Sequence, residues 1–250
     1  MNLAFLRLRV VSFCVPLFLG FLLAVNPATA QTTNVPGATL YRLKPDSSFL
    51  QGCFGPCMCP VMITEPVRGT FFLTPAGFDG VFYNFAVTDV KWSFTNNAWT
   101  TNAGTTTVTG SGAYKSGGNG AMQQQLSLFL QLDGGRVEHF DSGLVTNSTA
   151  FPDIEVSIST NKQYCFDTVF NVIASPAAMP QLHIAVTPTN TVVLSWALSP
   201  DPFVLQKCPD FSANNWTTVT NTPAVVQQQN QVVLPLSPDN ECYRLMPGPN

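Results

Sequence analysis

Four leucines at alternate positions constrain the fold of this chain more than any other feature. They are separated by single residues, at positions 126, 128, 130 and 132. A period of two places all four on one face of a β-strand. Asp133-Gly134-Gly135 follows directly and predicts a hairpin turn, with residues 136–140 as the returning strand.

The same alternation recurs elsewhere along the chain. Apolar residues at 154, 156 and 158 alternate with Glu and Ser. Between Val81 and Phe94 the apolar positions change phase once, near Thr88-Asp89, which predicts a β-bulge there. No amphipathic helical pattern is present, and Gly and Pro recur at short intervals. The sequence therefore predicts an all-β fold.

Residues 1–30 have the pattern of a secretory signal peptide. Arg7 and Arg9 precede an apolar run over residues 10–25, and Ala28-Thr29-Ala30 offers the small residues that signal peptidase requires. The run is shorter than the roughly 20 residues of a membrane-spanning helix. We expect cleavage before Gln31 and a secreted or periplasmic location, the cell envelope included.

The charge of the mature chain limits the classes of partner. Removing two arginines from the 11 Lys and Arg leaves 9, against 14 Asp and Glu, so the net charge is −5. Nucleic acids and anionic membrane surfaces select clustered Lys and Arg, and the chain has no such cluster. No later stretch is apolar enough to span a membrane. We expect an envelope or extracellular protein or glycan as partner, and no cofactor.

Six cysteines remain once Cys14 leaves with the signal peptide, an even number that favours disulfides in an exported chain. If Cys208 pairs with Cys242, two pairings stay open for the four at positions 53, 57, 59 and 165, because a Cys57–Cys59 bridge across one residue would be strained. One joins Cys53 to Cys57 and Cys59 to Cys165. The other joins Cys53 to Cys59 and Cys57 to Cys165, and is favoured because Gly55-Pro56 can turn the loop. As an alternative, Cys53, Cys57 and Cys59 could bind copper or act as redox thiols.

The domain boundaries follow from a proline-bracketed linker at residues 176–180. Before it, residues 31–175 predict a β-sandwich-like domain. After it, residues 181–250 contain the segments "NTVVLSWAL", "PFVLQKCPDF" and "ECYRLM". These resemble the small immunoglobulin-like or fibronectin type III-like module that ends many exported bacterial proteins. The resemblance implies a second sandwich that serves as a spacer, stability or attachment module and has no fixed activity.

In a fibronectin-like topology the strands that carry Cys208 and Cys242 are antiparallel neighbours, so a third bridge is predicted there. Both cysteines alternate with the core-facing residues of their strands, and we therefore expect their thiols on the outer face. The N-terminal part contains "YRLKPDSSFLQGCFGPCMCP", "EHFDSG" and "YCFDTV". It resembles an uncharacterised family of exported bacterial proteins, which implies export and no particular chemistry.

Catalytic residues are not predicted anywhere in the chain. There are two histidines, and His139 has Asp141 on the same side of its strand, an arrangement more typical of a surface hydrogen bond than of a triad. A pair of carboxylates could run glycoside hydrolysis, and no spacing singles out a pair among Asp133, Glu138, Asp141, Asp153 and Glu155. Three aromatics could form a sugar-stacking platform: Tyr83, Trp92 and Trp99. The leading hypothesis is an exported non-enzymatic structural or binding protein. The alternatives are a copper-binding or thiol-redox protein and, third, a carbohydrate-active enzyme.

Overall fold

The computed structural model describes residues 3–5, 37–57, 59, 62–96, 104–146, 149–199, 202–209 and 215–248. Most of the predicted signal peptide, its cleavage site and Trp99 lie outside these residues. Every regular element in the described residues is a β-strand, so the all-β prediction is confirmed. That part of the chain contains no helix long and apolar enough to cross a membrane.

Eighteen strands are described, numbered here in chain order. The first eleven are β1 (Leu3–Phe5), β2 (Thr39–Leu43), β3 (Ser48–Cys53), β4 (Met62–Phe78), β5 (Phe82–Asn96), β6 (Gly104–Gly117), β7 (Gln123–Leu132), β8 (Val137–Asp141), β9 (Val145–Thr146), β10 (Ile154–Ser159) and β11 (Phe166–Pro176). The others are β12 (His183–Val186), β13 (Thr191–Ala197), β14 (Phe203–Cys208), β15 (Thr217–Thr218), β16 (Ala224–Val226), β17 (Gln229–Pro235) and β18 (Cys242–Pro247).

The chain divides into two compact units between residues 178 and 179, inside the predicted linker. Strands β2 to β11 belong to the first unit. Strands β12 to β18 belong to the second, and β1 groups with them through antiparallel pairing with β18. Since β1 lies within the predicted signal peptide, export would remove this strand.

The first unit is one ten-stranded antiparallel sheet that closes on itself. Strands β2 and β3 follow one another along the same line of the sheet, and each pairs with β4 on one side and β11 on the other. Strands β8 and β9 likewise pair with successive parts of β7. Strand β10 pairs with both β8 and β11, which completes the circuit. We expected a sandwich-like arrangement here, and the described strands instead form a single closed sheet.

Side chains fill the interior of this closed sheet. Leu126, Leu128 and Leu130 are fully buried, as the alternation predicted. An aromatic cluster packs beside them, with the ring of Trp92 5.6 Å from that of Phe170 in an edge-to-face contact. Trp92 is 3% exposed, so this candidate for sugar stacking is a core residue.

Two local predictions in this unit are confirmed. The turn between β7 and β8 has positive φ at both Asp133 and Gly134, as a tight hairpin requires. The register between β5 and β6 shifts between Val87 and Val90, and Asp89 has a φ of 53°. This is the bulge predicted from the change of phase, and it bends the sheet at that point.

The second unit contains two four-stranded sheets. One has the order β12-β13-β17-β16 and the other β1-β18-β14-β15. Both contribute to one core, which includes Leu194 and Trp196 from the first sheet and Leu205 and Leu245 from the second. The alternation of these residues along their strands explains the burial.

Candidate functional site

The cysteine loop lies where β3 ends and β11 begins. Cys53 is the last residue of β3 and pairs in register with Phe166, the first residue of β11. The structure bridges Cys53 to Cys59 with Cα atoms 5.2 Å apart, and Cys57 to Cys165 with Cα atoms 4.8 Å apart. This is the pairing that the sequence favoured, because Gly55-Pro56 can turn the loop. The bridges fit an oxidising extracellular or periplasmic environment.

A buried carboxylate organises the segment that presents Cys165. Asp167 is 2% exposed and accepts hydrogen bonds from the backbone amides of Asn161, Gln163 and Thr168 and from the hydroxyl of Thr160. These bonds hold a tight loop in place, in which three residues have positive φ: Lys162, Gln163 and Cys165.

In this geometry the bridge between Cys57 and Cys165 ties the cysteine loop to the residue before β11. The copper-binding or redox alternative needs reduced Cys53, Cys57 and Cys59 converging on one ion, and the structure distributes them over two bridges. Among the described residues, no three His, Cys, Asp or Glu side chains are grouped so that they could hold a metal ion.

Cys208 and Cys242 lie directly opposite each other in the register of β14 and β18, the neighbourhood that a bridge requires. We expected both thiols on the outer face of their strands. Cys208 is 0% exposed and Cys242 is 9% exposed, so that face is covered at these two positions. Gln206 and Arg244 have the same parity on their strands as the two cysteines. The Nε of Arg244 donates to Gln206, and its guanidinium lies over the ring of Trp216. The bridge itself stays a prediction.

His139 lies on the outer face of the closed sheet, beside Ser127 and Asp141. Its Nε2 is 2.8 Å from Ser127 Oγ and 4.0 Å from Asp141 Oδ2. In a Ser-His-Asp triad the serine and the aspartate contact different ring nitrogens. Here one nitrogen faces both groups, so the cluster is a surface hydrogen-bond network and lacks the geometry of a triad.

The five carboxylates considered for hydrolysis make separate local contacts. Asp133 lies in the turn between β7 and β8, and its carboxylate accepts a hydrogen bond from the backbone amide of Thr107. Glu138 and Asp141 are three residues apart on β8 and therefore project from opposite faces of the sheet. The remaining two have neighbouring partners: Asp153 pairs with Lys44, and Glu155 accepts from Thr149.

A groove of about 400 Å³ crosses the outer face of the same sheet, over β4 to β7. Its floor consists of small residues, among them Ala86, Gly112 and Ala113. The polar side chains of its lining come from three strands, namely Asn84, Lys115, Gln125 and Ser127. The groove therefore combines an open floor with donors and acceptors at its side.

Asp141 extends this polar surface beyond Ser127, its register partner across β7 and β8. Burial alone would raise the pKa of Asp141. Hydrogen bonds from the Gly143 amide, Ser127 and Gln125, together with the charge of His139, outweigh burial and lower that pKa below its ordinary value. The carboxylate is therefore ionised at neutral pH, and the Gln125 amide donates to both of its oxygens at 3.1 Å.

Exposed aromatic rings flank the groove. On one side Phe129 stacks with His139, with ring centroids 4.8 Å apart, and Phe129 is 55% exposed. On the other side the Lys115 ammonium lies over the ring of Phe82. Tyr83, the exposed member of the predicted stacking set, packs on Phe78 at the start of β5.

Sequence reasoning singled out His139 and Asp141 in this region and missed Asn84, Lys115, Gln125 and Phe129. The alternation along β7 did place positions 125, 127 and 129 on the outer face. Which residues of β5 and β6 lie beside them depends on the register, which no local pattern gives.

Comparison of the chain with protein-family models, with curated proteins and with solved structures finds no match.

Proposed function

We propose that this chain is an exported, non-enzymatic binding protein, and that the outer-face groove of the first unit is its binding surface. The observation that carries the proposal is the combination of a small-residue floor at Ala86 and Ala113 with polar side chains at its edge. Ligand sites commonly combine a concave surface with a few convergent polar groups.

Two features support binding rather than catalysis at this surface. His139 presents a single nitrogen to both Ser127 and Asp141, so neither side chain is placed as in a nucleophilic triad. Glu138, the neighbouring carboxylate on β8, projects from the opposite face and does not form a catalytic pair with Asp141.

The second unit is proposed as an immunoglobulin-like or fibronectin type III-like spacer or attachment module. A four-stranded antiparallel sheet and the three strands β18, β14 and β15 that remain of the other sheet without β1, packed around one shared core, support this part of the proposal. Export through a cleaved signal peptide, with a secreted or envelope location, completes the proposed role. The two bridges of the first unit are consistent with that compartment.

Co-sedimentation with washed cell-envelope material tests the binding function. Three proteins beginning at Gln31 are compared: the natural sequence, Ala113→Trp, which fills the groove floor, and Ala185→Trp. Ala185 is an exposed alanine on β12 of the other unit and serves as the matched control. We expect Ala113→Trp to lose at least tenfold of the retention and Ala185→Trp to keep it. Equal retention of all three proteins contradicts the proposed surface.

A further inference from the structure

The outer face of the first unit is organised in rows that run across the strands. Ala86 pairs with Ala113, and Ala113 pairs with Ser127, so the floor of the groove is one row across β5, β6 and β7. Three adjacent strands span ~10 Å. Asp141, the partner of Ser127, ends this row on β8.

A polar row lies along one side of the floor. Asn84 pairs with Lys115, and Lys115 pairs with Gln125. These residues are two positions from the floor residues on each strand, which places the two rows ~7 Å apart on the same face. A ligand lying on the floor would therefore meet two amides and one ammonium along one edge.

An aromatic row lies along the other side of the floor. Phe129 follows Ser127 by two positions on β7, and it stacks with its cross-strand partner His139. The side chain of His139 is half exposed. A ligand on the floor thus has ring faces on one side and hydrogen-bonding groups on the other.

These rows match the chemistry of a sugar better than that of other ligands. A pyranose ring presents C–H groups on its faces and hydroxyl groups at its rim, and each hydroxyl both donates and accepts. Planar amides and carboxylates offer two adjacent polar atoms that neighbouring hydroxyls can engage together.

Charge argues for a neutral sugar. Lys115 is the single cation of the polar row, and its ammonium already contacts the ring of Phe82. The ionised carboxylate of Asp141 stands at the end of the floor and repels anionic ligands. A mature chain of net charge −5 adds to that repulsion.

We infer that the groove binds a neutral saccharide chain, lying across β5 to β7 between the polar row and the Phe129–His139 pair. This inference rests on the proposed binding function and specifies its ligand class. Gln125 and Asp141 would engage hydroxyl groups, and Phe129 would pack on a ring face.

Affinity electrophoresis of the chain beginning at Gln31 tests the ligand class. Gels contain a soluble neutral polysaccharide (β-glucan, mannan or galactan in turn), an anionic polygalacturonate, or no polymer. We expect retardation by at least one neutral polymer and none by polygalacturonate. Phe129→Ala and Gln125→Ala should each weaken the affinity at least fivefold. Phe166→Ala, which removes a similarly exposed phenylalanine from β11, should leave the affinity unchanged.

The outcomes distinguish a failure of the saccharide inference from a failure of the proposed binding surface. Retardation by polygalacturonate alone, or neutral binding that Phe129→Ala and Gln125→Ala leave intact, overturns the saccharide groove. If no neutral polymer binds while envelope retention still depends on Ala113, the ligand class is wrong and the binding surface stands. If neither neutral polymers nor envelope material binds, both are wrong.

Discussion

The carboxylate of Asp167 accepts a hydrogen bond from the backbone amide of Gln163 at 2.6 Å. Gln163 lies two residues before Cys165 and has a φ of 57°, a conformation that a residue with a side chain adopts only when its surroundings hold it there. The buried aspartate supplies that hold, and the loop in turn places Cys165 opposite Cys57. The Asp167 carboxylate and the Cys57–Cys165 bridge therefore act together to hold the cysteine loop at the start of β11.

Replacing Asp167 with Ala is expected to lower the free energy of unfolding by roughly 3 kcal/mol, because the substitution leaves several donors around a buried site without an acceptor. Urea unfolding followed by tryptophan fluorescence measures the change. Asp79→Ala is the matched control: Asp79 also accepts from two backbone amides, at Val81 and Phe82, but in an exposed turn. We expect a clearly smaller effect there, and equal losses would contradict the account of Asp167.

Peptide mapping under non-reducing conditions tests the cysteine assignments. We expect Cys53 linked to Cys59 and Cys57 linked to Cys165. We also expect a link between Cys208 and Cys242, which are 34 positions apart and opposite in register. In the chain-entropy model that last bridge adds roughly 3 to 4 kcal/mol of stability. Free thiols at Cys53, Cys57 and Cys59 in fresh protein would restore the copper or redox hypothesis.

Gly112 lets β6 approach β7 closely beneath the groove. A Cβ at this position would lie 2.1 Å from the carbonyl oxygen of Ser127 and 2.8 Å from the Cα of Leu128. Gly112→Ala is therefore expected to cost roughly 2 to 3 kcal/mol, because backbone must shift to make room. Gly104→Ala, on the same strand with nothing within 4 Å of the added Cβ, should change the stability by less than about 0.5 kcal/mol. Thermal unfolding of both variants decides the point.

The lowered pKa of Asp141 makes a signed prediction about pH. A carboxyl group whose folded-state pKa is below its unfolded-state value contributes stability above the unfolded pKa, here about 3.8, and loses it as the pH falls through the folded value. The stability difference between the natural protein and Asp141→Asn should therefore be present at pH 5 and shrink below about pH 4. Urea unfolding at pH 7, 5 and 3 measures it. A difference that grows on acidification would show that the pKa of Asp141 is raised.

Local signals in the sequence were sufficient to predict much of the first unit. The leucine alternation located β7, the Asp133-Gly134 pair located its turn, and the change of phase near Asp89 located the bulge. Each of these features depends on residues within about ten positions of one another. For the same reason the buried face of β13 around Trp196 followed from alternation alone.

Strands β2 and β3 were missed because Lys44 to Ser47 interrupts their alternation. They occupy one position in the sheet through pairing with the distant strand β11. Between them, the hydroxyl of Ser47 donates to the carbonyl of Ile173 and accepts from the amide of the same residue. The groove was missed for a related reason. Asn84, Lys115 and Gln125 are neighbours solely through the pairing of β5, β6 and β7.

The burial of Cys208 was missed because alternation tells which face a side chain takes and not whether that face is covered.

We propose the outer face of β5 to β8 as the binding surface of an exported protein. Hydrogen–deuterium exchange of the chain beginning at Gln31, with and without solubilised envelope fragments, tests it most directly. The account predicts that added protection is confined to peptides covering residues 82–86, 111–115, 125–129 and 137–141. Protection confined to the cysteine loop at 53–59, or to residues 181–248 of the second unit, would contradict it.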